Sequence, residues 1–146
     1  MTEERRFLAV MIGGKSDEEI ESFITTLGGM EPVVDLVFAL MPQELDPAKA
    51  KDCILGWEIS SGDQKVSYRT EVRNGTLTAE KREPGDDTTA TIIIDMVEFL
   101  RIIIEEREAP KDYVLGKFKV KGDLVLAYNV PEMFPFKEKP SLTASA

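Results

Sequence analysis

The sequence has no histidine at all. That absence removes the Ser-His-Asp and Cys-His nucleophile systems, the usual zinc sites and imidazole acid–base catalysis. Cysteine is nearly absent too. Cys53 stands alone, so there is no intramolecular disulfide and no Cys-x-x-Cys site, a usage that fits a reducing compartment. Long apolar runs are missing, and no stretch approaches the roughly 18 residues of a membrane span. The start, Met1-Thr2-Glu3-Glu4-Arg5-Arg6, is too acidic for a secretory leader, and the apolar run over residues 7–12 is too short for one. The end, Thr143-Ala144-Ser145-Ala146, matches neither a peroxisomal nor an ER-retention tail. These absences lead to the expectation of a soluble, cytoplasmic protein. Positive charge is also scarce: 18 basic residues face 27 acidic ones, a net charge of −9. No nucleic-acid partner is expected, because such binding needs a basic footprint to neutralise phosphates.

What is present is enough for one self-sufficient core. The 146 residues are 42% hydrophobic and 31% charged, ordinary for a globular domain that folds without metal or disulfide. The acidity is uneven. Residues 1–50 hold ten acids and four bases, whereas residues 101–146 hold seven acids and eight bases.

The N-terminal part reads as helical. Residues 1–12 fit a short leading helix. Ser16 is placed to cap a second one, with Asp17, Glu18 and Glu19 in its first turn and Gly28-Gly29 at its end. A third opens at Pro32 and ends near Pro42. From Cys53 the apolar period changes from helical to two. Leu55, Trp57 and Ile59 form one strand, and Val66, Tyr68, Thr70 and Val72 a second. A third follows the Asn74-Gly75 dipeptide, a strong hairpin signal. Residues 89–94 read as a more buried fourth strand, followed by a helix capped by Asp95. A short helix spans 111–115, and a fifth strand alternates Lys117, Lys119 and Lys121 with Phe118 and Val120. Asp123 then caps a last helix that Pro131 closes. The class is therefore α+β: a five-stranded, mostly antiparallel sheet with helices covering one face. Residues 1–134 read as one domain, with a helical leader over 1–46 and a sheet-and-helix body over 53–134. Residues 135–146 read as a flexible tail.

Little of this carries chemistry. The adjacent acids Glu18-Glu19, Asp86-Asp87 and Glu105-Glu106 read as solvated surface, and no spacing suggests a metal or cofactor. Gly13-Gly14-Lys15-Ser16 ends like a phosphate-binding loop, but Leu8 stands where that motif needs its first glycine. The lysine row Lys117, Lys119 and Lys121 has two readings. It guards an edge strand, or it attracts anionic head groups at roughly 1 kcal/mol per lysine near a charged membrane surface. The apolar stripes likewise form either a filled core or the lining of a cavity between sheet and helices.

The segment Gly116-Lys117-Phe118-Lys119-Val120-Lys121-Gly122-Asp123-Leu124-Val125-Leu126-Ala127 resembles the signature of the sterol-carrier-protein-two family. The order of Trp57, the Asn74-Gly75 hairpin, Thr91-Ile92-Ile93-Ile94 and Pro110 is similar as well. Val37-Phe38-Ala39-Leu40-Met41 and Pro47-Ala48-Lys49-Ala50 resemble the leader of its single-domain prokaryotic members. The resemblance covers about residues 33–134. It implies a hydrophobic tunnel that binds or transfers a fatty acid, acyl-CoA, sterol or phospholipid without catalysis. The expected lining is Trp57, Ile59, Tyr68, Phe99, Ile103, Phe118, Val120, Leu124, Leu126, Tyr128, Met133 and Phe134. Lys117, Lys119 and Lys121 would attract the head group, and a tunnel of roughly 300–1,000 Å³ would suffice. The expected partners are that small hydrophobic ligand and, transiently, a membrane surface. The alternative is an accessory or tailoring protein that holds or converts an aromatic, polyketide-like ligand in the same cavity. Without histidine, such activity needs a shifted carboxylate, lysine or tyrosine such as Tyr68.

Overall fold

A computed structural model of the chain describes residues 2–105 and 109–135. Three helices come first: α1 (Glu3–Ile12), α2 (Asp17–Thr26) and α3 (Met30–Glu44). Their starts are written in the sequence. The Thr2 side chain accepts from the Arg5 backbone N–H, and Ser16 and Glu19 form a reciprocal capping box. Helix α3 passes through Pro42, where the sequence predicts an end. Proline forfeits one backbone donor, but so close to the helix end the loss is tolerated. The same holds at Pro131 in the last helix.

Strands β1 (Cys53–Ser61), β2 (Gln64–Arg73) and β3 (Thr76–Glu80) form the expected meander. Asn74 and Gly75 turn with φ of 53° and 77°, both positive as a type I′ turn requires. Strand β4 (Ala90–Asp95) returns to lie parallel to β1. Helices α4 (Met96–Ile103) and α5 (Ala109–Val114) lead to β5 (Phe118–Gly122), antiparallel to β4, and α6 (Leu124–Met133) ends the described part. The sheet order is β3-β2-β1-β4-β5. Three of its four pairings are antiparallel, as expected, and the pairing of β1 with β4 is parallel. Residues 136–146, which make up nearly all of the tail expected from the sequence, lie outside the described residues.

Alternation along the strands sorts the two faces. Leu55, Trp57, Ile59, Val66, Tyr68, Val72, Ile92 and Ile94 are buried on the side covered by helices. The other side carries Glu58, Arg69, Glu71, Lys119 and Lys121. Two buried arginines tie the N-terminal helices to the body. Arg101 of α4 donates to the Lys15 carbonyl at 3.0 Å and to Asp17 at 2.6 Å, and Arg5 of α1 reaches Glu44 at 2.9 Å and the Ile103 carbonyl at 2.9 Å.

Candidate ligand-binding site

The core is built around stacked rings. Phe38 of α3 lies 4.1 Å from Tyr68 and 5.9 Å from Phe99, nearly parallel to both, and meets Trp57 edge-on at 5.5 Å. Trp57 donates its indole N–H to Thr70 Oγ1 at 2.9 Å, which leaves its ring carbons as its contribution to the interior. Beside this cluster a cavity opens between the sheet and α1, α3, α4 and α6. Trp57, Ile92, Ile94 and Phe118 floor it. Val37, Leu40 and Met41 close it from α3, and Phe99, Ile102 and Ile103 from α4. Ala127, Val130 and Pro131 of α6, with Phe134 beyond it, form another wall, and Leu8 of α1 completes the enclosure.

About 100 Å³ stands open in this cavity, which is partly open to solvent. One water needs roughly 10–15 Å³ by the same kind of measure, so the space takes several waters or a slender apolar segment. It is smaller than the tunnel expected from the sequence.

Three polar side chains interrupt the lining: Arg5, Glu44 and Glu105. Arg5 and Glu44 form a buried ion pair, their side chains only 7% and 6% exposed. Burial disfavours the Glu44 charge. Hydrogen bonds from Thr2, including its backbone N–H at 2.6 Å, and from Arg5 outweigh that, and the carboxyl sits below its usual range. Tyr68 shows the opposite balance. Burial, then its 2.6 Å hydrogen bond to Asp35 and that residue's charge, push its phenol well above the usual range, so it stays protonated. Its hydroxyl is engaged away from the cavity. The Cys53 thiol is pushed up as well, by burial and then by Asp52. Among the described residues no group of acids and cysteine converges as a metal ion would require, and no single helix is long and apolar enough to cross a membrane.

Of the twelve lining residues expected from the sequence, the cavity wall brings together Trp57, Phe99, Ile103, Phe118 and Phe134. Ile59 and Tyr68 are buried without lining the cavity, and Val120 is half-buried opposite Ile92. Leu126 and Met133 are buried on the inner side of α6, while Leu124 and Tyr128 stand on its outer side, 39% and 41% exposed. The lysines are exposed. Lys119 and Lys121 pair with Ile93 and Thr91, on the sheet face away from the cavity, and Lys117 precedes the strand. Ile92 and Ile94 were within reach of sequence reasoning through their alternation. The Arg5–Glu44 pair spans 39 residues and leaves no local signal.

A five-stranded sheet with helices over one face is the fold of sterol carrier protein 2, and solved structures of that class superpose on this one. The apo form of sterol carrier protein 2 from Yarrowia lipolytica gives a TM-score of 0.55 at 18% identity, over 67% of this chain and 86% of that one. The palmitated SCP2L2 of Aedes aegypti, solved by NMR, gives 0.54 at 14% identity, over 71% and 92%. The stereoselective inverting sec-alkylsulfatase Pisa1 from Pseudomonas sp. gives 0.62 at 24% identity, over 68% of this chain and 16% of that one. This chain therefore spans about a sixth of the alkylsulfatase's length. Residues 25–134, about three-quarters of the sequence, match the model of the alkyl sulfatase C-terminal family. The chain belongs to that family, a sterol-carrier-like branch of the fold. No curated protein matches the sequence.

Proposed function

We propose that the protein binds a single-chain amphiphile, with an alkyl segment in the cavity lined by Trp57 and Phe99, and that it does so without covalent chemistry. The observation that carries this reading is the cavity itself, lined by carbon on nearly every side and given polar groups only by Arg5, Glu44 and Glu105. Each methylene moved from water into such a lining contributes about 0.8 kcal/mol, so even a short buried segment gives useful affinity. The narrow space favours an unbranched chain, as in a fatty acid or acyl-CoA, over the rigid rings of a sterol. The palmitated relative supports the same class of ligand.

A second reading is favoured by the family. A domain that holds an alkyl chain would serve an enzyme acting on alkyl sulfates, as the matched alkylsulfatase does. The two readings share one cavity and differ in head group and partner.

Uptake of a fluorescent fatty acid, with native mass spectrometry of the purified protein, tests the proposal. Ala127→Phe should fill the cavity and lower uptake about tenfold or more, at a cost of about 1–3 kcal/mol from overpacking. A folded wild-type protein that takes up neither fatty acid nor alkyl sulfate would falsify both readings.

A further inference from the structure

The polar side chains of the cavity wall, Arg5, Glu44 and Glu105, gather at one corner. Three helices end there. Helix α3 ends at Glu44, α4 ends at Ile103 just before Glu105, and α6 ends at Met133 just before Phe134. Hydrogen bonds draw these ends together. Arg5 donates to Glu44 at 2.9 Å, to the Ile103 carbonyl at 2.9 Å and to the Pro135 carbonyl at 3.3 Å. The Asp46 N–H, two residues past α3, donates to the Met133 carbonyl at 2.8 Å. This corner is the one part of the described lining that offers charged partners, so the head group of a bound amphiphile belongs in it.

The corner is negative and rich in acceptors. A helix C-terminus carries partial charges on its last carbonyls equivalent to about −0.5 of an elementary charge. Three such ends meet here beside two carboxylates. One helix begins here, α1, and the Thr2 N–H at its start is already bound to Glu44 at 2.6 Å. Arg5 is the only cation in the described lining, and its guanidinium is committed to Glu44 and to two backbone carbonyls. Lys119 and Lys121 stand on the opposite face of the sheet. A carboxylate, sulfate or phosphate head would bring only acceptors and a like charge to this place. A hydroxyl brings a donor and no charge, which a carboxylate or a helix-end carbonyl receives.

We infer that the cavity selects its amphiphile by head group, taking a long-chain primary alcohol in preference to an anion of the same chain length, with the hydroxyl at the Arg5–Glu44–Glu105 corner. The inference rests on the reading of the cavity as an alkyl-chain site and adds which head group that site accepts. Arg5 and α1 lie outside residues 25–134, so a part of the chain that the family match does not cover completes the corner.

Trp57 is the only tryptophan and lines the cavity, so its fluorescence reports filling directly. The test titrates decanol, decanoate and decyl sulfate into the full chain at neutral pH, below their micelle concentrations, with calorimetry as a second readout. Decanol should bind about tenfold more tightly than either anion. Glu105→Gln removes one negative charge from the wall and should narrow that gap about fivefold, and Glu105→Lys should close it. A wild-type protein that binds decanoate or decyl sulfate as tightly as decanol overturns the inference and leaves the alkyl-chain reading standing. So does a gap that survives Glu105→Lys unchanged. Binding of none of the three, by fluorescence and by calorimetry, overturns the alkyl-chain reading and the inference together.

Discussion

The two faces of the sheet use the same strands for opposite purposes. On the helix side, Trp57, Tyr68, Ile92 and Ile94 are at most 8% exposed, and rings and aliphatic chains hold one another. On the other side charges meet in water. Arg69 binds Asp87 through both nitrogens, at 2.5 and 2.7 Å, and holds that exposed carboxyl down to about 2, while Lys65 stands near Glu58 and Glu83. The comparison teaches where energy and specificity reside. Exposed ion pairs add little stability, whereas the buried face supplies both the core and the cavity.

The largest expected effect comes from breaking the buried face at its centre. Phe38→Ala should cost about 3–5 kcal/mol in urea unfolding, since Phe38 touches Trp57, Tyr68 and Phe99 together. A loss below about 1 kcal/mol would mean that the stack repacks around the gap.

Next comes the polar rim of the cavity. Glu44→Gln leaves Arg5 charged and buried, and should cost about 3 kcal/mol at neutral pH. The folded Glu44 carboxyl titrates below its unfolded value, so its stabilisation is complete above the ordinary carboxylate range and is lost as pH falls through the folded value. The variant should therefore approach the wild type in acid. A gap that stays constant with pH would remove Glu44 from that role.

The smallest effect sharpens the comparison on the open face. A Cβ on Gly56 would lie 2.5 Å from the Pro84 side chain and 2.8 Å from Thr91 Oγ1. Gly56→Ala should therefore cost about 1–2 kcal/mol in thermal unfolding while leaving fatty-acid uptake unchanged. Reduced uptake would show that the faces are mechanically coupled.

Much of this division was legible in the sequence. Alternation of Leu55, Trp57 and Ile59 with Gly56, Glu58 and Ser60 assigned the faces, and Ser16, Asp95 and Asp123 announced helices that begin one residue later. Pro42 and Pro131 misled, because a proline near a helix end costs one hydrogen bond rather than the helix. The parallel pairing of β1 with β4 was illegible, since strand patterns carry no direction. The outward Leu124 and Tyr128 look like lining in the sequence because a helix that is apolar all round has no periodicity to reveal its inner side. The Arg5–Glu44 contact depends on how α1 docks, which only the assembled fold determines.

That parallel pairing also orders the assembly of the site in time. The meander closes through short turns, while Trp57 and Ile92, adjacent on the cavity floor, are joined only by closing a loop of 35 residues. Long closures come late, after local pairings have formed. A nascent chain would therefore hold a finished hairpin sheet before it has any place for a ligand, and an amphiphile present at that moment would meet the floor while it is still being laid.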